Sequence, residues 1–281
     1  MELAGKTAVI TGGASGIGLA TAHQFAASGM NLVLGDIEEQ PLHEAVEGLR
    51  AQGAKVIGIT CDVSSEADVL GLRDGALAQF GGAHVIFNNA GVVGGPSIGT
   101  PKKVWDWVMG VNVDGVINGI NAFVPLFLDQ NEGHVVNTAS LAGLGGVAGT
   151  GAYCASKFAV VGISESLFHE LSILQKNVGV SVLCPGFVRT RIKDSDRTMP
   201  AELAGYNDDP MVQAIREIER NLVDAGIEAS EVAALVERGV REGRFWILPH
   251  EYFAQRITER RLEWMRGGEP IASMPKMPTP R

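Results

Sequence analysis

Short apolar runs alternate with longer amphipathic ones along the first two thirds of the chain. Six stand out: KTAVIT at 6–11, NLVLGD at 31–36, KVIGIT at 55–60, HVIFN at 84–88, HVVNT at 134–138 and VGVSVLC at 178–184. They are rich in Val and Ile and do not alternate cleanly with polar residues. A strand that is apolar on both faces must be covered on both, as in a parallel sheet flanked by helices. The intervening stretches, 17–28, 38–51, about 65–80, 101–129 and 151–176, carry helical patterning. Gly29 and Gly53 stand where the first two should stop. Residues 101–129 are expected as one long helix despite Gly110, Gly115 and Gly119, with Pro125 bending or shortening it. The pattern therefore predicts an α/β fold with one doubly wound parallel sheet of the Rossmann type and helices on both faces.

After Pro185-Gly186 the pattern loosens. Residues 190–210 are polar and turn-rich. Helices are expected near 211–224 and 229–241, the second capped by Ser230 ahead of Glu231. Residues 243–247 read as a seventh strand and 249–265 as an extended C-terminal helix. The segment 266–281 is rich in Pro and small residues and is expected to be a flexible tail.

TGGASGIG at 11–18 joins the first strand to the first helix. Gly12, Gly16 and Gly18 follow a G-x-x-x-G-x-G spacing. Small residues there allow a tight turn and close backbone approach, and the helix N-terminus then faces a phosphate. Ser15 and Ile17 lie in the same turn. Such a turn is weak evidence alone, but its place between strand and helix strengthens it. Asp36 ends the second strand, where a carboxylate can accept from both hydroxyls of an adenosine ribose and repel a 2'-phosphate. Ile37 and Glu38 follow, with no Arg or Lys at once, so NAD is favoured over NADP. A helix cap is the plainer role for Asp36. Asp62 could accept from an adenine amino group with Val63 covering the ring; a cap near Ser64 explains it nearly as well. Asn88, Asn89, Ala90 and Gly91 close the fourth strand and suit close packing on a cofactor, although the asparagines could simply tie loops together.

The net charge of -9 excludes a general nucleic-acid binder, which needs a basic stripe. It does not exclude an anionic cofactor held by backbone N–H groups. Cys61, Cys154 and Cys184 are scattered and suggest neither zinc nor a disulfide scaffold; they read as small buried residues. The N-terminus lacks a signal-peptide pattern, and no uninterrupted apolar run reaches the length of a membrane span, so a cytoplasmic setting is expected. His169-Glu170 begins like H-E-x-x-H but meets Ile173 in place of the second histidine. GISES at 162–166 lacks the closing glycine of a nucleophile elbow and follows no strand. No metal site and no hydrolase triad are expected.

TGGASGIG at 11–18, Asp62, NNAG at 88–91, Asn112, Ser140, Tyr153 with Lys157, and PGFVRT at 185–190 fall in one order and spacing. Together they resemble the short-chain dehydrogenase/reductase family over roughly residues 3–190. The resemblance implies a seven-stranded sheet and an NAD-dependent oxidoreductase acting on a secondary alcohol or its ketone. It implies Tyr153 as general acid/base, one helical turn from Lys157, whose cation favours the phenolate and holds the nicotinamide ribose. Ser140 is implied to hold the substrate oxygen, and Asn112 to anchor a water in a proton relay. Pro185, Gly186, Val188 and Thr190 are implied around the nicotinamide, Thr190 at its carboxamide. Residues 1–265 would then form one catalytic domain, with 190–225 a substrate lid. A homodimer or homotetramer through helices 101–129 and 151–176 is also implied.

Plainer roles stand beside these. Asn112 could be an ordinary helix hydrogen-bonder and Thr190 a turn residue. Trp105 and Trp107 fit core or subunit contact better than substrate stacking. Cys154 has no histidine spaced to activate it. Arg189, Arg191, Lys193 and Arg197 could meet a substrate carboxylate, but solvated charge is the plainer reading. Leu141–Val147 and Val92–Pro96 are small and apolar, which suits a hydrophobic or aromatic substrate. NTASLAGL at 137–144 and the long ending resemble bacterial dehydrogenases acting on benzylic alcohols. A double-bond reductase, an epimerase of the same family and a non-catalytic NAD(H) sensor are the competing functions.

Overall fold

The computed structural model of the chain describes residues 1–268, the side chains of residues 204, 207, 208 and 211 excepted. Of the tail expected over 266–281, residues 269–281 lie outside the described residues. The seven strands are β1 (Thr7–Thr11), β2 (Asn31–Asp36), β3 (Val56–Thr60), β4 (Val85–Asn88), β5 (Gly133–Thr138), β6 (Val178–Leu183) and β7 (Trp246–Ile247). They form one sheet in the order β3-β2-β1-β4-β5-β6-β7, parallel at every pairing. The chain leaves β1 toward one edge and returns at β4 to build the other. The reversal opens a crevice beyond the carboxyl ends of β1 and β4, where ligands of such sheets bind.

Helices cover both faces. They are α1 (Gly16–Ala27), α2 (Glu39–Ala51), α3 (Glu66–Phe80), α4 (Lys102–Met109), α5 (Gly115–Gln130), α6 (Gly151–Leu174), α7 (Pro210–Asp224), α8 (Ala229–Glu242) and α9 (Glu251–Met265). Successive β1 residues point to opposite faces. Ala8 and Ile10 join one core with Phe25 of α1 and Val236 of α8. Val9 joins the other with Phe123 and Phe127 of α5 and Leu167 of α6. Central strands β1, β4 and β5 are buried along their whole length. Only the edge strand β3 alternates. Each fully buried Phe contributes roughly 1.5–3 kcal/mol to this arrangement.

Three local expectations are corrected. The helix expected over 101–129 is interrupted, but not at Pro125, which lies inside α5. Buried Ala122, Phe123, Val124 and Phe127 around it hold the helix through the missing N–H. The irregularity is a π-helical turn at Gly110–Asp114, where the Gly115 N–H reaches back to the Gly110 carbonyl. The cap of α8 is Glu228, not Ser230. A capping box needs its partner three residues on, and Glu228 with Glu231 provides that spacing. The last strand shrinks to two residues.

The Lys102–Gln130 stretch is long and apolar enough to cross a membrane by length and composition. Half of its most apolar window is buried inside the fold. Packing of Phe123 and Phe127 against the sheet accounts for that apolarity.

Candidate active site

The carboxyl ends of β1, β2, β4, β5 and β6 meet a cleft of about 2070 Å³. Gly12, Ser15, Gly16 and Ile17 line its β1 side. Gly12 and Gly16 have φ of 63° and 55°, in the left-handed region that favours glycine. Gly18 lacks room for a side chain: a Cβ would overlap the Gly12 carbonyl oxygen and approach Asn89 Nδ2 to 2.7 Å. The N-cap residue of α1, Ser15, makes no side-chain cap bond, and the first turn holds no acidic residue. Its N-terminal N–H groups thus suit a pyrophosphate.

Asp36 is buried at the end of β2. Its carboxylate accepts from Ala14 N at 3.0 Å and from Glu38 N at 3.1 Å. Burial raises its pKa, with those two bonds opposing the rise. A carboxylate has acceptor capacity beyond two bonds, so ribose hydroxyls can still be held. Ile37 lines the cleft beside it and is 48% exposed. Asp62 does cap its loop, accepting from Ser64 N at 2.9 Å and Ser64 Oγ at 2.7 Å, and it also lines the cleft with Val63. Asn89 ties β4 to the glycine turn by donating to Thr11 O at 3.0 Å and Gly12 O at 3.3 Å. Asn88 donates to Asn137 in the core at 2.9 Å. Asn89, Ala90 and Gly91 line the cleft.

Tyr153 and Lys157 face the same cleft from α6. The Lys157 ammonium donates to Thr138 O at 2.8 Å and lies 5.6 Å from the Tyr153 ring centroid. Ser140 stands beside the Tyr153 phenol and acts to lower its pKa. Ser140 accepts from Ala142 N at 3.1 Å and donates to Pro185 O at 3.3 Å, so its hydroxyl is fixed between β5 and β6. Burial pushes the Tyr153 phenol up to about 12, Ser140 opposes the rise, and the charge of Glu219 adds to it. Burial pulls the Lys157 ammonium down to about 8.

Gly91 brings two of these groups close, since a Cβ there would stand 3.3 Å from Asn112 Oδ1 and 3.4 Å from Lys157 Nζ. Asn112 is fully buried in the π turn. Its side chain accepts from Val92 N at 2.8 Å and donates to Val92 O and Ser156 Oγ, each at 2.9 Å. The side chain is therefore committed to the protein. Asn112→Ala is expected to lower stability by about 1–3 kcal/mol, because it strands the buried Val92 groups. A thermal melt unchanged from wild type would contradict that.

Gly186 N donates to His250 Nδ1 at 3.0 Å. The Thr190 side chain lies beside Gly16, 3.1 Å from where a Cβ would stand. It also caps the turn Arg191–Thr198 by accepting from Ile192 N at 3.4 Å. Pro185, Gly186, Val188 and Thr190 all line the cleft.

The lid follows β6 and closes one side. Val93 N donates to Ser195 Oγ at 3.1 Å, and Tyr206 bonds Thr100 at 2.9 Å. The basic residues read as solvated charge are paired instead. Arg197 meets Glu38 at 2.8 Å and Arg191 meets it at 3.6 Å. Lys193 pairs with Asp224, and Arg189 with Glu228. Only the fold brings Arg191 and Arg197 to Glu38, two residues from Asp36. Sequence reasoning also missed the Thr138 carbonyl, Glu219 on α7, and Phe253 and Ile257 on α9, all at the cleft apart from the carbonyl's own partner bond. Nothing local marks them. Trp105 and Trp107 pack against Val92, Val108 and Ala152, and Trp107 also reaches the cleft. All three cysteines are buried and free. Among the described residues no cluster could hold a metal ion.

A family model described as short chain dehydrogenase matches residues 6–201. A short chain dehydrogenase/reductase from Burkholderia phymatum, solved in complex with NAD, is 42% identical with a TM-score of 0.94, over 98% of this chain and 99% of that one. A CLA biosynthesis dehydrogenase/reductase of Lactiplantibacillus plantarum is 30% identical over 94% of this chain and 95% of its own. A C alpha-dehydrogenase of Sphingobium sp. is 31% identical over 87% of this chain and 80% of its own. Glycine turn, the Asp36 carboxylate and the Ser140, Tyr153 and Lys157 group thus sit on a fold shared along nearly its whole length with an NAD-bound enzyme, and the chain belongs to the short-chain dehydrogenase/reductase family as an NAD-dependent oxidoreductase.

Proposed function

We propose that the chain interconverts a hydrophobic, aromatic secondary alcohol and its ketone. The observation that carries this reading is that Ser140, Tyr153 and Lys157 line the same cleft as the glycine turn. Leu141, Val147, Ile215, Leu222, Phe253 and Ile257 give the cleft apolar walls. Similarity to the Sphingobium C alpha-dehydrogenase supports a dehydrogenase reaction.

Gly12, Ser15, Gly16, Ile17 and Gly18 would cradle the pyrophosphate, Asp36 the adenosine ribose, and Ile37, Asp62 and Val63 the adenine. Asn89, Ala90, Gly91, Pro185, Gly186, Val188 and Thr190 would flank the nicotinamide half. Bound NAD supplies a hydride acceptor and, when oxidised, a positive ring. Ser140 orients the substrate oxygen, and Tyr153 accepts its proton during oxidation or returns it during reduction. The protein's own groups hold the phenol above its usual value of about 10. Its acidification would therefore depend on the positive ring of the oxidised cofactor, while Lys157, fixed by Thr138 O, would hold the nicotinamide ribose and relay the proton. Asn112 positions this region through Val92. The test is a panel of aromatic and aliphatic secondary alcohols and ketones, read at the nicotinamide absorbance with NAD and NADP. No coupled absorbance change with any of them would end the reading.

Asp36 would exclude NADP by charge. Asp36→Ala is expected to shift the NAD-to-NADP affinity ratio by about 10- to 100-fold toward NADP. Arg191 and Arg197 stand ready at Glu38 to meet a 2'-phosphate once the carboxylate is gone. A ratio unchanged by the substitution in fluorescence titrations would remove Asp36 from this role.

We further propose a homodimer or homotetramer through helices 101–129 and 151–176. Ile117 on α5, and Phe168, Ile173 and Leu174 on α6, are exposed there. Three buried, unpaired thiols fit a cytoplasmic setting.

A further inference from the structure

We propose that Glu219 is the polar recognition group of the substrate pocket and selects substrates carrying a second hydroxyl away from the reacting carbon. The inference rests on the reading of this cleft as a hydrophobic alcohol site. α7 is seated on the loop before Tyr153: a Cβ on Gly149 would stand 3.2 Å from Ile215 side-chain atoms. Glu219 lies one helical turn beyond Ile215, so both present to the same side. Both line the cleft, with Ile218 and Leu222 around them. Glu219 and Tyr153 line this one cleft, and the carboxylate charge also raises the Tyr153 phenol.

Glu219 has no hydrogen bond or ion pair among the described residues. Its neighbouring cation, Arg216, is engaged by Asp196 at 2.8 Å. Burial holds the Glu219 carboxyl up at about 7, with Arg216 opposing. A half-buried acid among Ile and Leu side chains costs stability unless something satisfies it. The occupant is a neutral donor. A substrate ammonium would share the cleft with the cations of Lys157, Arg260 and Arg261, and a substrate carboxylate would face ionised Glu219. A hydroxyl suits both forms of the acid, donating to the carboxylate or accepting from the protonated carboxyl.

The test uses phenyl methyl carbinol and its para-hydroxyl derivative, plus a pair in which a two-carbon spacer moves the ring outward. The wild type, E219Q and E219L are compared with NAD. The hydroxylated member is expected to be favoured about 10- to 100-fold in kcat/KM by the wild type at one of the two lengths. E219L should bring that ratio close to one, and E219Q should retain part of it. Calorimetry of the matching ketones on the NADH-loaded protein should give the same ranking without turnover. A wild-type ratio near one at both lengths, or an unchanged ratio in folded E219L, overturns the proposal. Turnover of no alcohol by any variant instead overturns the aromatic secondary-alcohol reading. Ketone binding then still decides the role of Glu219, and absence of binding in every variant overturns both.

Discussion

Tyr153→Phe is expected to lower kcat by about 100- to 10,000-fold, the range ascribed to one positioned acid or base. NADH affinity should change little, because phenylalanine keeps the ring and removes only the hydroxyl. Ser140 retains its bonds to Ala142 N and Pro185 O, so the site does not collapse. The pH profile gives a second reading. In alcohol oxidation the base must be unprotonated, so wild-type activity should rise with pH. Burial sets the phenol near 12 in the protein alone, and the positive ring of the oxidised cofactor would move the rise toward neutrality. The variant should lose that rise. Steady turnover by Tyr153→Phe with an unchanged pH profile would remove the phenol from the reaction.

Gly18→Ala is expected to weaken NAD binding by about 10- to 100-fold, equivalent to roughly 1–3 kcal/mol of overpacking. Alanine ordinarily favours a helix over glycine by about 1 kcal/mol. That gain is outweighed here because both obstructing groups are fixed. Gly12 is held at φ 63°, and Asn89 Nδ2 is anchored on Thr11 O and Gly12 O. The turn must therefore open. Gly48→Ala on α2 provides the control, because a Cβ there meets nothing within 4 Å. It should leave NAD binding unchanged and raise the melting temperature slightly. Equal titration curves for Gly18→Ala and wild type would mean the turn does not hold the dinucleotide.

The strand positions were readable because central strands are buried on both faces and must be apolar throughout. Edge strand β3 is less uniform because one face is more open. Tyr153 and Lys157 were readable because helical spacing alone puts them on one side. The π turn at Gly110–Asp114 was not, since Asn112 is held there by Val92, twenty residues away in sequence. Pro125 offered the stronger local signal for a break, yet the surrounding core overrode it.

The sequence by itself determined the parallel sheet, the glycine turn, Asp36 at its strand end and the Ser140, Tyr153 and Lys157 set. Each depends on residues within a few positions or on the strand-to-edge rule of the fold. Only the tertiary structure decided that Arg191 and Arg197 meet Glu38, that Lys157 is held by the Thr138 carbonyl, and that Glu219 faces the cleft. Such contacts join segments far apart in the chain, and electrostatic and hydrogen-bond energies depend on distance and burial, which exist only once those segments have packed.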